Sequence, residues 1–223
     1  MISRKSILAI SACGVLTLGL AACGDDGGSS SDLSGDLAGA GASSQEAAQE
    51  AWIANFESDN SGVTISYDPV GSGGGREQFI AGGVDYAGSD SALADTELTD
   101  AQKQCGGSDQ LVQIPVYISP IAVIYNLKGV TDLQLSPDTI AGIFAQNITS
   151  WDDAAIAKDN PDANLPSTRI TPVNRSDDSG TTDNFTQYLS EAAPSAWKYP
   201  PDDTWPVKGG DCLLYTSPSP RDS

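Results

Sequence analysis

Histidine is absent from this chain, and methionine occurs once. Without histidine a Ser-His-Asp triad cannot be assembled, and the residue most catalytic zinc sites rely on is missing. No metal or organic cofactor is therefore expected. Basic residues are few: 11 Lys and Arg stand against 30 Asp and Glu, for a net charge of −19. Nucleic-acid binding depends on Lys and Arg neutralising phosphates, so that class of partner is excluded. A small anion is not excluded, because fixed backbone dipoles and a single Arg can dominate inside a cleft. Long apolar runs are also lacking. The longest, Ile7 to Leu20, falls short of the ~20 residues a membrane-spanning helix needs.

That run has a meaning of its own. Arg4 and Lys5 precede it, and Leu20-Ala21-Ala22-Cys23 follows it. A basic start, an apolar centre and small residues before a cut site make a secretory signal, here residues 1–22. The Leu-Ala-Ala-Cys end resembles the bacterial lipobox, which makes Cys23 the expected lipidation site. Residues 23–35 are dominated by Gly, Ser and Asp and read as a flexible tether. Together these predict a protein exported and held by lipid at the outer face of the cell membrane. At the other end, Cys212 to Asp222 matches the translation of a transposon-end sequencing adapter, so residues 211–223 are set apart from the native chain. The tail is expected to pack against nothing. Cys105 then remains the only native cysteine beyond the tether. A disulfide to chain beyond residue 210 and a free thiol are both open.

Between the ends, one pattern recurs. Small-residue turns carrying Gly and Ser or Thr precede helical segments at 39–44, 71–75 and 178–182. A helix amino terminus offers unpaired N–H groups and a partial positive charge. Gly admits a ligand to the backbone, and Ser or Thr adds a hydroxyl. Each turn alone could be an ordinary cap, but three together would hold a small oxyanion. Helices are predicted over 44–57, 76–81, 95–104, 137–145, 151–157 and 179–190 from apolar spacing and cap residues. Strands are predicted over 63–67, 84–88, 111–116, 118–126 and 170–174. The alternation argues an α/β architecture.

The motifs also fall into a familiar order. Gly39-Ala-Gly-Ala-Ser43, Val70-Gly-Ser-Gly-Gly74, Val84-Asp-Tyr-Ala-Gly-Ser-Asp90, Trp151-Asp-Asp and Arg175-Ser-Asp-Asp-Ser-Gly-Thr181 resemble the high-affinity phosphate-binding proteins of bacterial ABC transporters. The resemblance covers residues 36–210. It implies a two-lobed, type II periplasmic-binding-protein-like clamshell, with lobe 1 at 36–118 and lobe 2 at 119–210. In this family the first lobe is completed by chain returning after the second, so the fold is expected to be incomplete at the C-terminus, with uncovered apolar faces. The resemblance further implies that Ser43, Ser44, Ser72, Asp90, Arg175, Ser179, Gly180 and Thr181 contact phosphate, and that Asp177 orients Arg175. Ser43 replaces the usual Thr. Ser44 replaces a usual aromatic, so only its backbone N–H is expected to bind.

The physics of these roles stands beside the resemblance. Arg175 brings a full positive charge and a fork of donors. Asp90 is an acid in an anion site. Phosphate at neutral pH still carries a proton that a carboxylate can accept, whereas sulfate has none, so Asp90 would act as a selectivity filter. The function expected is capture of inorganic phosphate outside the cytoplasm and its delivery to the permease subunits of an ABC transporter, without catalysis. Two other readings remain open: a receptor for another tetrahedral oxyanion such as sulfate, and a secreted phosphatase or phosphotransferase using Ser179. The 71–75 loop lacks the Lys-Ser/Thr ending of a nucleotide P-loop.

Overall fold

The computed structural model describes residues 33–213. The signal 1–22, Cys23, most of the tether and residues 214–223 lie outside the described residues. The chain is α/β. It opens with strand β1 (Ser34–Gly41), a 3-10 turn (Ser43–Gln45) and helix α1 (Glu46–Asp59). Strand β2 (Gly62–Asp68), helix α2 (Ser72–Ile80), strand β3 (Tyr86–Gly88) and helix α3 (Asp95–Gln104) follow. These strands form one parallel sheet in the order β2-β1-β3.

β1 corrects the sequence reading twice. The tether ends at Leu33 rather than at residue 35, and Gly39 to Gly41 are strand rather than turn. A Gly- and Ala-rich stretch has low strand propensity, but here it is the central strand, and its small residues let neighbours close in. Gly39 sits beside Tyr67 on β2 and Tyr86 on β3, whose rings stack with centroids 6.1 Å apart. A Cβ on Gly39 would lie 2.1 Å from the Tyr86 ring. Gly75 of α2 rides directly on β1, where a Cβ would fall 2.4 Å from Gly41 Cα. The glycine run 73–75 is thus the first turn of α2, not a loop before it.

The second part carries helices α4 (Pro137–Phe144) and α5 (Ala154–Asp159), strand β4 (Val173–Arg175), helix α6 (Gly180–Ala192) and strand β5 (Asp211–Leu213). α4 starts as its sequence dictates, with Pro137 at the first position and the Ser136 hydroxyl accepting from Thr139 N–H at 3.4 Å. α5 starts later than expected. Asp153 caps it through Ala155 N–H at 2.9 Å, while the Ser150 hydroxyl is taken by Asp152. Two small cores form here. Ala141, Leu189, Ala193 and Trp197 make one, flanked by Phe144, Phe185 and Trp205. Ile143, Ile156 and Ile170 make the other.

Two further expectations are overturned. The backbone of Asp211–Leu213 pairs with β4 in parallel, so the start of the tail does pack against the fold. Residues 111–116 and 118–126 form no strands. A strand needs a ladder partner, and among the described residues none lies beside them, so Ile118 is 99% and Ile124 90% exposed. α1 likewise buries none of its residues fully, and Trp52 and Phe56 stay exposed.

Candidate oxyanion site

The carboxyl ends of β1, β2 and β3 all point the same way, and each releases a turn that carries a candidate residue. β1 leads to Ser43 and Ser44, β2 to Ser72, and β3 to Asp90. In an open parallel sheet this is where ligands settle, outside the strand ends at the point where the connections diverge. The sequence 2-1-3 places that point between β1 and β3. Backbone bonds hold the turns together: Ala42 N–H donates to Gly88 O at 2.8 Å, and Gly71 N–H to Gly41 O at 2.9 Å. Gly71 adopts φ 94°, a conformation that favours glycine, to open α2 at this spot.

Asp90 is the hub. Its carboxylate accepts from the Ser44 hydroxyl, 2.7 Å from each oxygen. Its N–H donates to the buried Ser72 hydroxyl at 3.2 Å, and accepting leaves Ser72 its own proton to donate. Its carbonyl accepts from Asn184 Nδ2 of α6 at 2.9 Å. Gly180 opens α6 against the same two residues: a Cβ there would lie 2.6 Å from Ser72 Oγ and 2.8 Å from Asp90 Cβ. Ser179, 2% exposed, is the residue before the helix, and Thr181 follows in its first turn. The α2 amino terminus is joined to this turn directly, since Gly73 N–H donates to Asp178 O at 2.9 Å.

Arg175 ends β4. Its Nε donates to Asp177 Oδ1 at 2.7 Å and its Nη2 to Asp177 Oδ2, the bidentate fork of an orienting pair. Asp177 in turn abuts Gly71, where a Cβ would sit 2.5 Å from Asp177 Oδ2. The fold therefore brings Ser44, Ser72 and Gly180 each against Asp90 and sets the Arg175–Asp177 pair beside the residue that precedes Ser72. Ser43, buried, adjoins Ser44 in the 3-10 turn.

Several neighbours carry no signal in the sequence. Tyr67 and Tyr117 donate to the carbonyls of Ala42 and Ser44, at 2.9 and 3.2 Å, and so steady the first turn. Burial, with Tyr86 and Asp90 close by, pushes the Tyr67 hydroxyl well above its ordinary range and keeps it a neutral donor. Arg76 is the larger omission. Arg175 is not alone in its charge, since the Arg76 guanidinium lies 6% exposed inside the network. Burial works against its charge, but the hydrogen bonds it donates to the Glu97 and Asp203 carboxylates outweigh that and hold it above the ordinary value. The Ser44 side chain, for its part, is engaged by the Asp90 carboxylate. Among the described residues, no group of three or more Cys, Asp or Glu is arranged to hold a metal ion, and no helix is long and apolar enough to cross a membrane.

Phosphate-binding protein PstS 3 of Mycobacterium tuberculosis (strain ATCC 25618 / H37Rv) is 40% identical over 203 residues, covering 83% of this chain and 54% of that protein. Phosphate-binding protein PstS of Pasteurella multocida (strain Pm70) is 38% identical over 164 residues, covering 73% of this chain and 45% of that protein. The chain thus spans about half the length of these relatives. Among solved structures, an ABC-type phosphate transport receptor from Vibrio cholerae shares the fold at a TM-score of 0.53 and 16% identity, over 82% of this chain and 64% of that one. A family model described as the PBP superfamily domain matches residues 27–209, and the chain belongs to that superfamily.

Proposed function

We propose that this protein binds inorganic phosphate outside the cytoplasm and delivers it to the permease of an ABC transporter, tethered to the membrane through lipid on Cys23. The observation that carries the reading is the meeting of Asp90 with Ser44, Ser72 and Gly180 at the carboxyl end of the sheet. Helix amino termini at Ser72 and Gly180 and the hydroxyls of Ser43, Ser72, Ser179 and Thr181 supply donors to the oxyanion. Arg175, oriented by Asp177, supplies charge. Asp90, already engaged by Ser44, presents its remaining lone pairs to a proton on the ligand. A carboxylate facing an unprotonated oxyanion would add repulsion to a lost hydrogen bond, which itself is worth roughly 1.5–3 kcal/mol. Residues 36–118 and 119–210 would be the two lobes that close on the ligand.

Titration calorimetry of the 223-residue chain with phosphate and with sulfate at pH 7 tests this. Phosphate is expected to bind and sulfate not. Asp90→Asn, which can donate as well as accept, is expected to narrow the difference between the anions. Equal binding of both by the unmutated chain, or release of phosphate from an ester by Ser179, would replace this reading.

A further inference from the structure

We propose that Arg76 is a positioning residue of this site, a strap whose guanidinium fixes the Asp90 turn and the α6 amino terminus to each other. The proposal rests on the phosphate reading for its consequence, but its structural content stands independently. Arg76 lies in α2, with its side chain 7% exposed. Nη1 donates to the hydroxyls of Ser89 and Ser91, at 3.3 and 3.1 Å, the residues on either side of Asp90. Nη2 donates to Asp203 Oδ2 at 2.7 Å. The backbone of that same Asp203 accepts from Ser179 N–H at 3.0 Å. Nε donates to Glu97 Oε1 at 2.9 Å, anchoring the fork to α3. One planar group therefore holds the turn that carries the candidate filter and, through Asp203, the turn that carries the candidate donors Ser179 and Gly180. A guanidinium does this because its donors diverge at fixed angles in a plane; an ammonium has charge but no fork.

The charges around it make the same point. Glu97 and Asp203 pair with the guanidinium, and Asp183 in the first turn of α6 lies against Asp203 and Ser91. Removing Arg76 leaves these three carboxylates uncompensated beside a site for an anion, free to push the two turns apart. None of the Arg76 donors points to a candidate ligand contact, so it acts through Ser89, Ser91 and Asp203 rather than on the oxyanion.

Hydrogen exchange of the 223-residue chain, read by segment and without ligand, decides the matter. In Arg76→Gln, amides of 88–92 and 178–182 are expected to exchange about tenfold faster or more, while those of α4, 137–144, keep their rate. Arg76→Lys is expected to recover only part of the protection. If Arg76→Gln fails to fold, Ser91→Ala and Asp203→Asn cut one arm each. The first should loosen 88–92 alone, and the second should loosen 178–182 more than 88–92. Unchanged exchange in both turns, full recovery by Lys, or a uniform rise that includes 137–144 would overturn the proposal. Phosphate titrations run alongside are expected to show roughly tenfold weaker binding in Arg76→Gln. If the unmutated chain binds no phosphate, the functional reading fails while the exchange result still decides the role of Arg76.

Discussion

A methyl group on Gly180 is the smallest change that should disable the site while leaving the helix intact. Gly180 is the first residue of α6, and its backbone is not in the left-handed region, so alanine can adopt it. The obstacle is steric. The added Cβ would lie 2.6 Å from Ser72 Oγ, 2.8 Å from Asp90 Cβ and 3.1 Å from Ser91 N. Ordinary carbon contacts begin near ~3.5 Å, so the two sides must separate by about 0.5–1 Å. Neither partner can turn aside easily, because Ser72 is 1% exposed and accepts from Asp90 N–H, and Asp90 is held by Ser44. Overpacking of this kind costs about 1–3 kcal/mol. If that falls on the bound state, affinity drops roughly 5- to 150-fold. Alanine is a better helix former than glycine by up to ~1 kcal/mol, which offsets part of the cost to the free protein. Gly180→Ala is therefore expected to weaken phosphate binding in calorimetry far more than it lowers the melting temperature. Affinity within about twofold of the unmutated chain would refute the claim that α6 meets Ser72 and Asp90 at the ligand.

The Asp183 carboxyl is pushed above its ordinary value by burial and by Asp203. A raised acid stabilises the fold only while protonated, so its contribution is present below the ordinary carboxylate pKa and lost as pH rises through the folded value. Asp183→Asn is accordingly expected to raise the melting temperature at pH 7 and to give no gain below about pH 4; an equal gain at both pH values would contradict this. The opposite case is Asp159, whose carboxylate is held below the ordinary value by hydrogen bonds from Ser136 N–H and the Thr139 hydroxyl. Its contribution is present above the ordinary pKa and lost as pH falls through the lowered one, so Asp159→Asn is expected to cost about 1 kcal/mol at pH 7 and progressively less in acid. Denaturant titrations at both pH values would show it, and a constant penalty would argue against it. Ile156, fully buried in its cluster, is expected to cost about 2–5 kcal/mol when cut to Ala. A loss below about 1 kcal/mol in the same titration would mean that this cluster is not tightly packed.

What the sequence determined by itself is local. Ser136-Pro137 set the start of α4, the apolar spacing of 179–190 set α6, and the charged run 95–104 set α3, because caps and periodicity act within a few residues. The pair Arg175–Asp177 and the hub residues Ser72 and Asp90 were also legible, since the motifs that carry them are contiguous. Tertiary structure decided the rest. β1 is a strand although its glycines and alanines favour none, because only small residues pass between Tyr67, Tyr86 and α2. Residues 111–126 have strand-like composition and no ladder, because a strand exists only by pairing with something distant in sequence. Arg76 carries no local signal in the sequence. Its burial depends on Asp203, 127 residues away, and no local pattern records a partner at that distance.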